Sequence, residues 1–212
     1  MCNSFYTKGV LYYMRKKSHF SIASYLMQSE GMEVLATHKK AFYIGNILPD
    51  CVPSFLTQRH CIEDTFHILK KELHLLIEEY NFNKGVTAYF CRHLGVILHY
   101  ISDYFTFPHN SFYSGNFKDH CFYEKEMKFY LRAYVKTKEA QLERRKEFSF
   151  HTVDELCTYI RERHKSYAQM NQTVALDCEY IVDLCHHVVD YILGFFDTTK
   201  APTLTSAGSY SI

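Results

Sequence analysis

The chemistry-bearing residues of this 212-residue chain concentrate between His99 and Glu124. His99 and Asp103 stand four apart, His109 follows directly after Pro108, and His120 and Glu124 repeat the four-residue spacing. The string reads H-x3-D-x5-H-x10-H-x3-E. On a helix, residues four apart share a face with Cβ atoms roughly 5–6 Å apart, a separation that one metal ion can bridge. One such His-acid pair is ordinarily an N–H to carboxylate hydrogen bond or a solvated face. Two of them flanking a loop histidine point to metal binding. Zinc takes three or four nitrogen and oxygen ligands, and a catalytic site keeps one position open. Five ligands exceed that need, so the spacing predicts a multinuclear site, the kind that clamps a phosphodiester and activates water.

These residues have to be positioned by helices. Apolar residues recur at helical spacing along most of the chain, and no long period-2 alternation competes. Ser18 reads as an N-cap, with Ile22, Leu26 and Met27 continuing one apolar face. A second helix is expected over Glu33 to Ile44, stopping at Gly45-Asn46. The stretch Leu48 to Ser54, with two Pro, reads as a loop. Further helices are expected over Glu63 to Tyr80, Gly85 to Phe105, Asn116 to Arg145, Thr152 to Met170 and Val174 to Phe195. Pro108 ends the second of these segments, so His109 belongs to the loop Thr106 to Gly115. The expectation is one all-α domain of about seven helices over residues 17–197. An N-terminal extension, 1–16, precedes it, and a mobile tail rich in Ser and Thr, 198–212, follows it.

The ligand string resembles that of zinc-dependent phospholipase C, a family that includes the lecithinase domain of clostridial alpha toxins. Upstream residues extend the resemblance. Ser18-His19 lies where the family has a Ser-His in its first helix, Leu48-Pro49-Asp50 matches its loop aspartate, and His60 fits the ligand histidine that follows. The similarity covers about residues 18 to 125; the later helices are similar only in being helical. It implies an all-α fold and two or three Zn2+ ions. One would be held by Asp50, His60, His99 and Asp103, and a second by His109, His120 and Glu124. A third would take His19, a shared Asp103 and the amine and carbonyl of an N-terminal Trp. Asp50 would also serve as the base that activates water.

Two departures matter. The chain has no Trp, and its first residue lies 18 positions before His19, which puts the third zinc in question. Cys51 and Thr57 stand where choline-binding members carry aromatics, and a quaternary cation is best held by aromatic faces. Fungal single-strand nucleases share the trinuclear architecture but usually end their ligand set in Asp, where this chain has Glu124.

Composition narrows the partners. With 24 basic and 23 acidic side chains, net charge +1, there is no electrostatic footprint for duplex nucleic acid. The N-terminus lacks an apolar h-region with a cleavage site, and no apolar run approaches the ~20 residues of a membrane span. A cytoplasmic location is the expectation. The eight Cys form no C-x-x-C pair and read as reduced, internal thiols. His186-His187, His67 and His74 read as structural, His67 being a fallback for His60. Cys61 and Cys121, each beside a ligand, read as possible soft competitors for zinc. The Arg144-Arg145-Lys146 cluster reads as a solvated helix end. Phe55 with Leu56, Phe105 with Phe107, and Phe112 with Tyr113 flank the ligand loops as core residues or as a rim for transient membrane-surface contact. The functional expectation is a zinc phosphodiesterase, a phospholipase C acting on phospholipid head groups. A nuclease or small-molecule phosphodiesterase on the same platform and a non-catalytic zinc-binding domain are the alternatives.

Overall fold

The computed structural model describes residues 18–29, 31–51, 59–138, 140 and 150–198. The N-terminal extension, Phe55, Leu56, Thr57, the Arg144 cluster and the tail beyond Thr198 lie outside them. The described residues are all-α, with no strand. Seven principal helices follow one another: α1 (18–26), α2 (Lys39–Ile47), α3 (Ile62–Ile77), α4 (Ala88–Tyr104), α5 (Phe117–Tyr134), α6 (Val153–Ala168) and α7 (Val174–Thr198).

Helix α4 is the axis of the domain. Its residues from Leu94 to Tyr104 are all buried, because the helix is apolar on every side and is wrapped by α2, α3 and α7. The Thr87 hydroxyl caps its start by accepting from the Phe90 amide. At the other end Thr106, Pro108 and Asn110 turn the chain through a short 3-10 turn, Phe107–His109. Helix α5 opens with a reciprocal capping box between Asn116 and Asp119 and packs along α7.

Helices α2 and α4 approach to backbone contact. A methyl group on Gly45 would collide with the Arg92 carbonyl, and one on Gly95 would meet the Phe42 carbonyl and the Asn46 amide. The same approach corrects an expectation. Gly45-Asn46 does not stop the second helix, which continues to Ile47, because Gly45 here serves helix packing. The segment Met32–His38 is a 3-10 stretch and not the start of that α-helix. Ser18 is already helical, and its buried hydroxyl finds no hydrogen-bond partner, so it is no N-cap. Helix α5 ends at Tyr134 and does not run on to Arg145. The Thr137 hydroxyl donates to the Tyr134 carbonyl and accepts from the Ala140 amide, which breaks the helix and starts a new turn.

Candidate metal centre

Six segments deliver the candidate ligands to one buried place. His19 comes from α1, Asp50 from the turn after α2, His60 from just before α3, His99 and Asp103 from α4, His109 from the 3-10 turn, and His120 and Glu124 from α5. Asp103 sits in the middle. Its Oδ2 lies 2.9 Å from His60 Nδ1 and 3.2 Å from His99 Nε2. Its Oδ1 lies 3.2 Å from His19 Nε2 and 3.0 Å from His109 Nδ1.

His60 Nδ1 and His99 Nε2 are themselves 3.1 Å apart. With Asp103 Oδ2 they form a nearly equilateral triangle of donor atoms. Zinc–ligand bonds of 2.0–2.2 Å place donors about 3.4 Å apart in a tetrahedron, so this triangle approximates one face of a zinc coordination sphere. Asp50 offers Oδ1 at 3.7 Å from His60 Nδ1, and its buried Oδ2 has no hydrogen-bond partner. A second donor group forms beside it, where Glu124 Oε1 lies 3.1 Å from His109 Nε2 and 2.8 Å from His120 Nε2. His19 with His99 and Asp103 makes a third grouping that shares ligands with the first. His19 stacks on the His99 ring at 4.0 Å and leaves a buried Nδ1 unpartnered. These residues fit zinc by donor type, spacing and unsatisfied buried atoms.

Electrostatics keep the acids ionised. Burial works against charge on Asp103, but the imidazoles of His109, His99 and His19 hold it well below the usual carboxylate range. Burial likewise opposes ionised Glu124, yet hydrogen bonds from His109 and His120 bring it down to about 2. His19 is lowered by burial and by the neighbouring His99, which favours the neutral, metal-binding imidazole.

Second contacts fix the orientation of the ligands. His99 Nδ1 donates to the Asn46 carbonyl at 2.9 Å, leaving Nε2 to face the triangle. Asn46 reaches that position because α2 and α4 touch at Gly45 and Gly95. His164 Nε2 donates to Asn110 Oδ1, and Asn110 donates back to the Tyr104 and Thr106 carbonyls, fastening the turn that carries His109.

Asp177 on α7 was not foreseen from the sequence. It is fully buried and accepts from the Phe107 amide at 2.8 Å, the Tyr123 hydroxyl at 2.9 Å and the Tyr167 hydroxyl at 2.8 Å. Phe107 lies two residues before His109 and Tyr123 one before Glu124, so one carboxylate ties together both elements of the second donor group. Burial pushes Asp177 up to about 6 despite these three donors. An aspartate in a helix's first turn ordinarily reads as a partner of the helix dipole, so the sequence held no signal for this role. Asp177→Asn is expected to weaken zinc at the second group by roughly tenfold, while the first group keeps its metal. Zinc titration with cobalt as a spectroscopic substitute checks it, and equal loss at both groups would show a general folding defect.

The residues set aside stay outside the cluster. His186 Nε2 pairs with the Tyr25 hydroxyl at 2.9 Å, His74 pairs with Glu78, and His67 is exposed. Cys61 and Cys121 belong to none of the three donor groups among the described residues, whose seven cysteines form no disulfide with one another. Phe105 is core, while Phe107 packs on Phe112, Tyr113 and Tyr123 beside the site. A cavity adjoins the cluster, lined by His19, Asp103, His109 and Glu124 together with Ile22, Met127, Leu131 and Ile181. Its apolar lining lowers the local dielectric and strengthens ion binding by the carboxylates.

The profile of a family described as zinc dependent phospholipase C matches residues 18–172. No curated protein and no solved structure matches the chain. The matched segment spans every candidate ligand and stops before α7, so Asp177 falls beyond it.

Proposed function

The chain belongs to the zinc-dependent phospholipase C family, and from that premise we propose that it hydrolyses phosphodiesters, with phospholipids cleaved on the glycerol side of the phosphate as its substrates. The observation that carries this reading is the triangle of His60, His99 and Asp103, with Asp50 beside it presenting a carboxylate oxygen that accepts no hydrogen bond and lies 3.9 Å from His19 Nε2. Asp50, His60, His99 and Asp103 would hold one ion, and His109, His120 and Glu124 a second. His99 Nε2 can serve only one ion, so a third would rest on His19 and Asp103 Oδ1 alone among the described residues.

When bound, zinc supplies Lewis-acid polarisation of the phosphoryl oxygens and acidifies water at neutral pH. Asp103 holds His60 and His99 on one oxygen and faces His19 and His109 with the other, fixing the distance between the two ligand groups. Asp50 accepts the proton of the attacking water through Oδ2, which accepts no hydrogen bond. The new P–O bond forms as the bond to the glycerol oxygen breaks, and that oxygen takes up a proton from solvent, giving diacylglycerol and a phosphorylated head group. Cys51, exposed beside Asp50, offers no aromatic face for a choline cation, so a head group other than choline is the expectation. No helix among the described residues is long and apolar enough to cross a membrane.

Asp50→Asn tests the base. The variant is expected to retain its metal and lose roughly a hundredfold or more in turnover, in line with removal of a general base. Phosphorylated head-group release should disappear with chelator and return with zinc. Single-stranded DNA and a chromogenic phosphodiester under the same conditions rank the competing substrates. A fully active Asp50→Asn enzyme would remove Asp50 from the mechanism, and bound zinc with no hydrolysis of any diester would make this a structural zinc domain.

A further inference from the structure

Helix α5 has an outward side that its role in the metal centre does not use. Glu124, Met127, Leu131 and Tyr134 face inward and are buried. On the opposite side Lys118, Phe122, Lys125, Phe129, Arg132 and Lys136 are spaced alternately four and three apart. At 3.6 residues per turn they fall in one narrow stripe along the helix and the turn that continues it.

The two phenyl rings in this stripe stand out in water, Phe122 being 59% and Phe129 56% exposed. Lys118 sits over the Phe122 ring and Lys128 over the Phe129 ring, at 5.8 and 4.8 Å. All five basic residues of this stretch lie along one flank of the rings. Its exposed acids, Asp119 and Glu126, fall on the other flank, and Asp119 is engaged in the capping box. On a chain whose charges otherwise nearly cancel, this is a local concentration of positive charge around exposed aromatics.

We propose that this outward face of α5 is a docking face for anionic phospholipid surfaces. Aromatic rings flanked by cations are the make-up of a helix that lies in a bilayer interface, the rings entering the acyl boundary and the cations meeting lipid phosphates. Two other occupants fit less well. A second copy of the chain would bring the same five cations against one another. Single-stranded nucleic acid is held in grooves that track its backbone, whereas this stripe is the convex crest of a helix. The proposal builds on the phospholipid reading of the metal centre, but binding is measured without hydrolysis, so the two can fail separately.

The test is co-sedimentation of the full chain with vesicles of phosphatidylcholine alone and of phosphatidylcholine mixed with phosphatidylglycerol. The protein is expected to bind the mixed vesicles, and to leave them when ionic strength is raised to about 0.5 M. Lys125→Gln with Arg132→Gln should weaken that binding roughly tenfold or more, and Phe122→Ser with Phe129→Ser by a similar factor. All four positions are exposed, so the thermal midpoint should stay put, and so should hydrolysis of a soluble chromogenic phosphodiester. Equal binding to neutral vesicles, no binding to either, or binding indifferent to both variants overturns the proposal. Tighter binding to a single-stranded oligonucleotide through the same residues overturns it too. Vesicle binding without any hydrolysis would leave the docking face standing and remove the phosphodiesterase reading.

Discussion

Asp103→Asn is expected to cost the protein its bound zinc at the first donor group and to lower phosphodiester turnover by roughly a thousandfold or more. The substitution barely changes shape. It replaces one of two oxygens that between them lie within 3.2 Å of four imidazoles with an amide that donates protons and carries no charge. His19, His60, His99 and His109 would then crowd a neutral group, and each cation arriving there would meet one negative charge fewer in a buried site. Metal analysis of the purified variant, set beside its turnover, checks the expectation. A variant with full zinc content and wild-type rate would mean that Asp103 is no ligand and that its imidazole contacts are only structural. Asp50→Asn separates from this outcome cleanly, since there the metal is expected to remain.

The second large effect is on stability. The metal-free chain buries Asp50, Asp103 and Glu124 among five imidazoles, an arrangement held together by charge that zinc would organise. Free zinc at a thousandfold over its dissociation constant adds about 4 kcal/mol per site, which for a chain of this length raises the thermal midpoint by on the order of 10 °C. Calorimetry with zinc and with chelator measures the difference. Acid should erase it, because protons compete for the imidazoles below their ordinary pKa of about 6.5.

A further loss is expected in the chelated protein at lower pH. Glu124 is held at about 2 in the folded chain, below its ordinary value, so its contribution is complete above about pH 4.5. It fades as pH falls from there towards 2, by about 3 kcal/mol in all. Asp177 works in the opposite sense: its raised pKa of about 6 means that acid relieves a buried charge between pH 6 and 4. Protonation of His19 and His164, which burial holds below the ordinary imidazole value, costs the chelated chain stability as pH falls below about 6.5, and the Glu124 loss adds to it below about pH 4.5. A profile no steeper below pH 4.5 than above it would show that the Glu124 pairing with His109 and His120 does not stabilise the fold.

The sequence carried a good deal of this. Helical periodicity is local, so the positions of α3, α4, α6 and α7 could be read from apolar spacing to within a few residues. The pairs His99–Asp103 and His120–Glu124 were legible for the same reason, since four residues along a helix is a fixed distance whatever surrounds it. Pro108 placed His109 beyond α4, because a proline ring disfavours α geometry in the preceding residue, although the chain there forms the 3-10 turn Phe107–His109 and not an open loop. Local reading failed at Gly45-Asn46, where tertiary contact overrode it: the pair looks like a stop signal and is instead a point of helix contact. It failed also at Thr137, whose hydroxyl competes locally with the backbone just past the end of α5 in a stretch whose composition is still helical.

What only the tertiary structure decided is the meeting of distant segments. His19, Asp50 and His60 are separated from Asp103 by up to 84 residues, and nothing in their spacing makes them converge. Convergence comes from α4 being buried on every side, which obliges α1, α2 and α3 to deliver their ligands to the same end of it. Asn46 orients His99 only because two helices lacking side chains at Gly45 and Gly95 can touch. Asp177 fastens the second donor group only because α7 crosses behind it. Ligand types and their pairwise spacing are properties of a helix's pitch and can be read along the chain; their common centre depends on how apolar faces pack, which no single segment encodes.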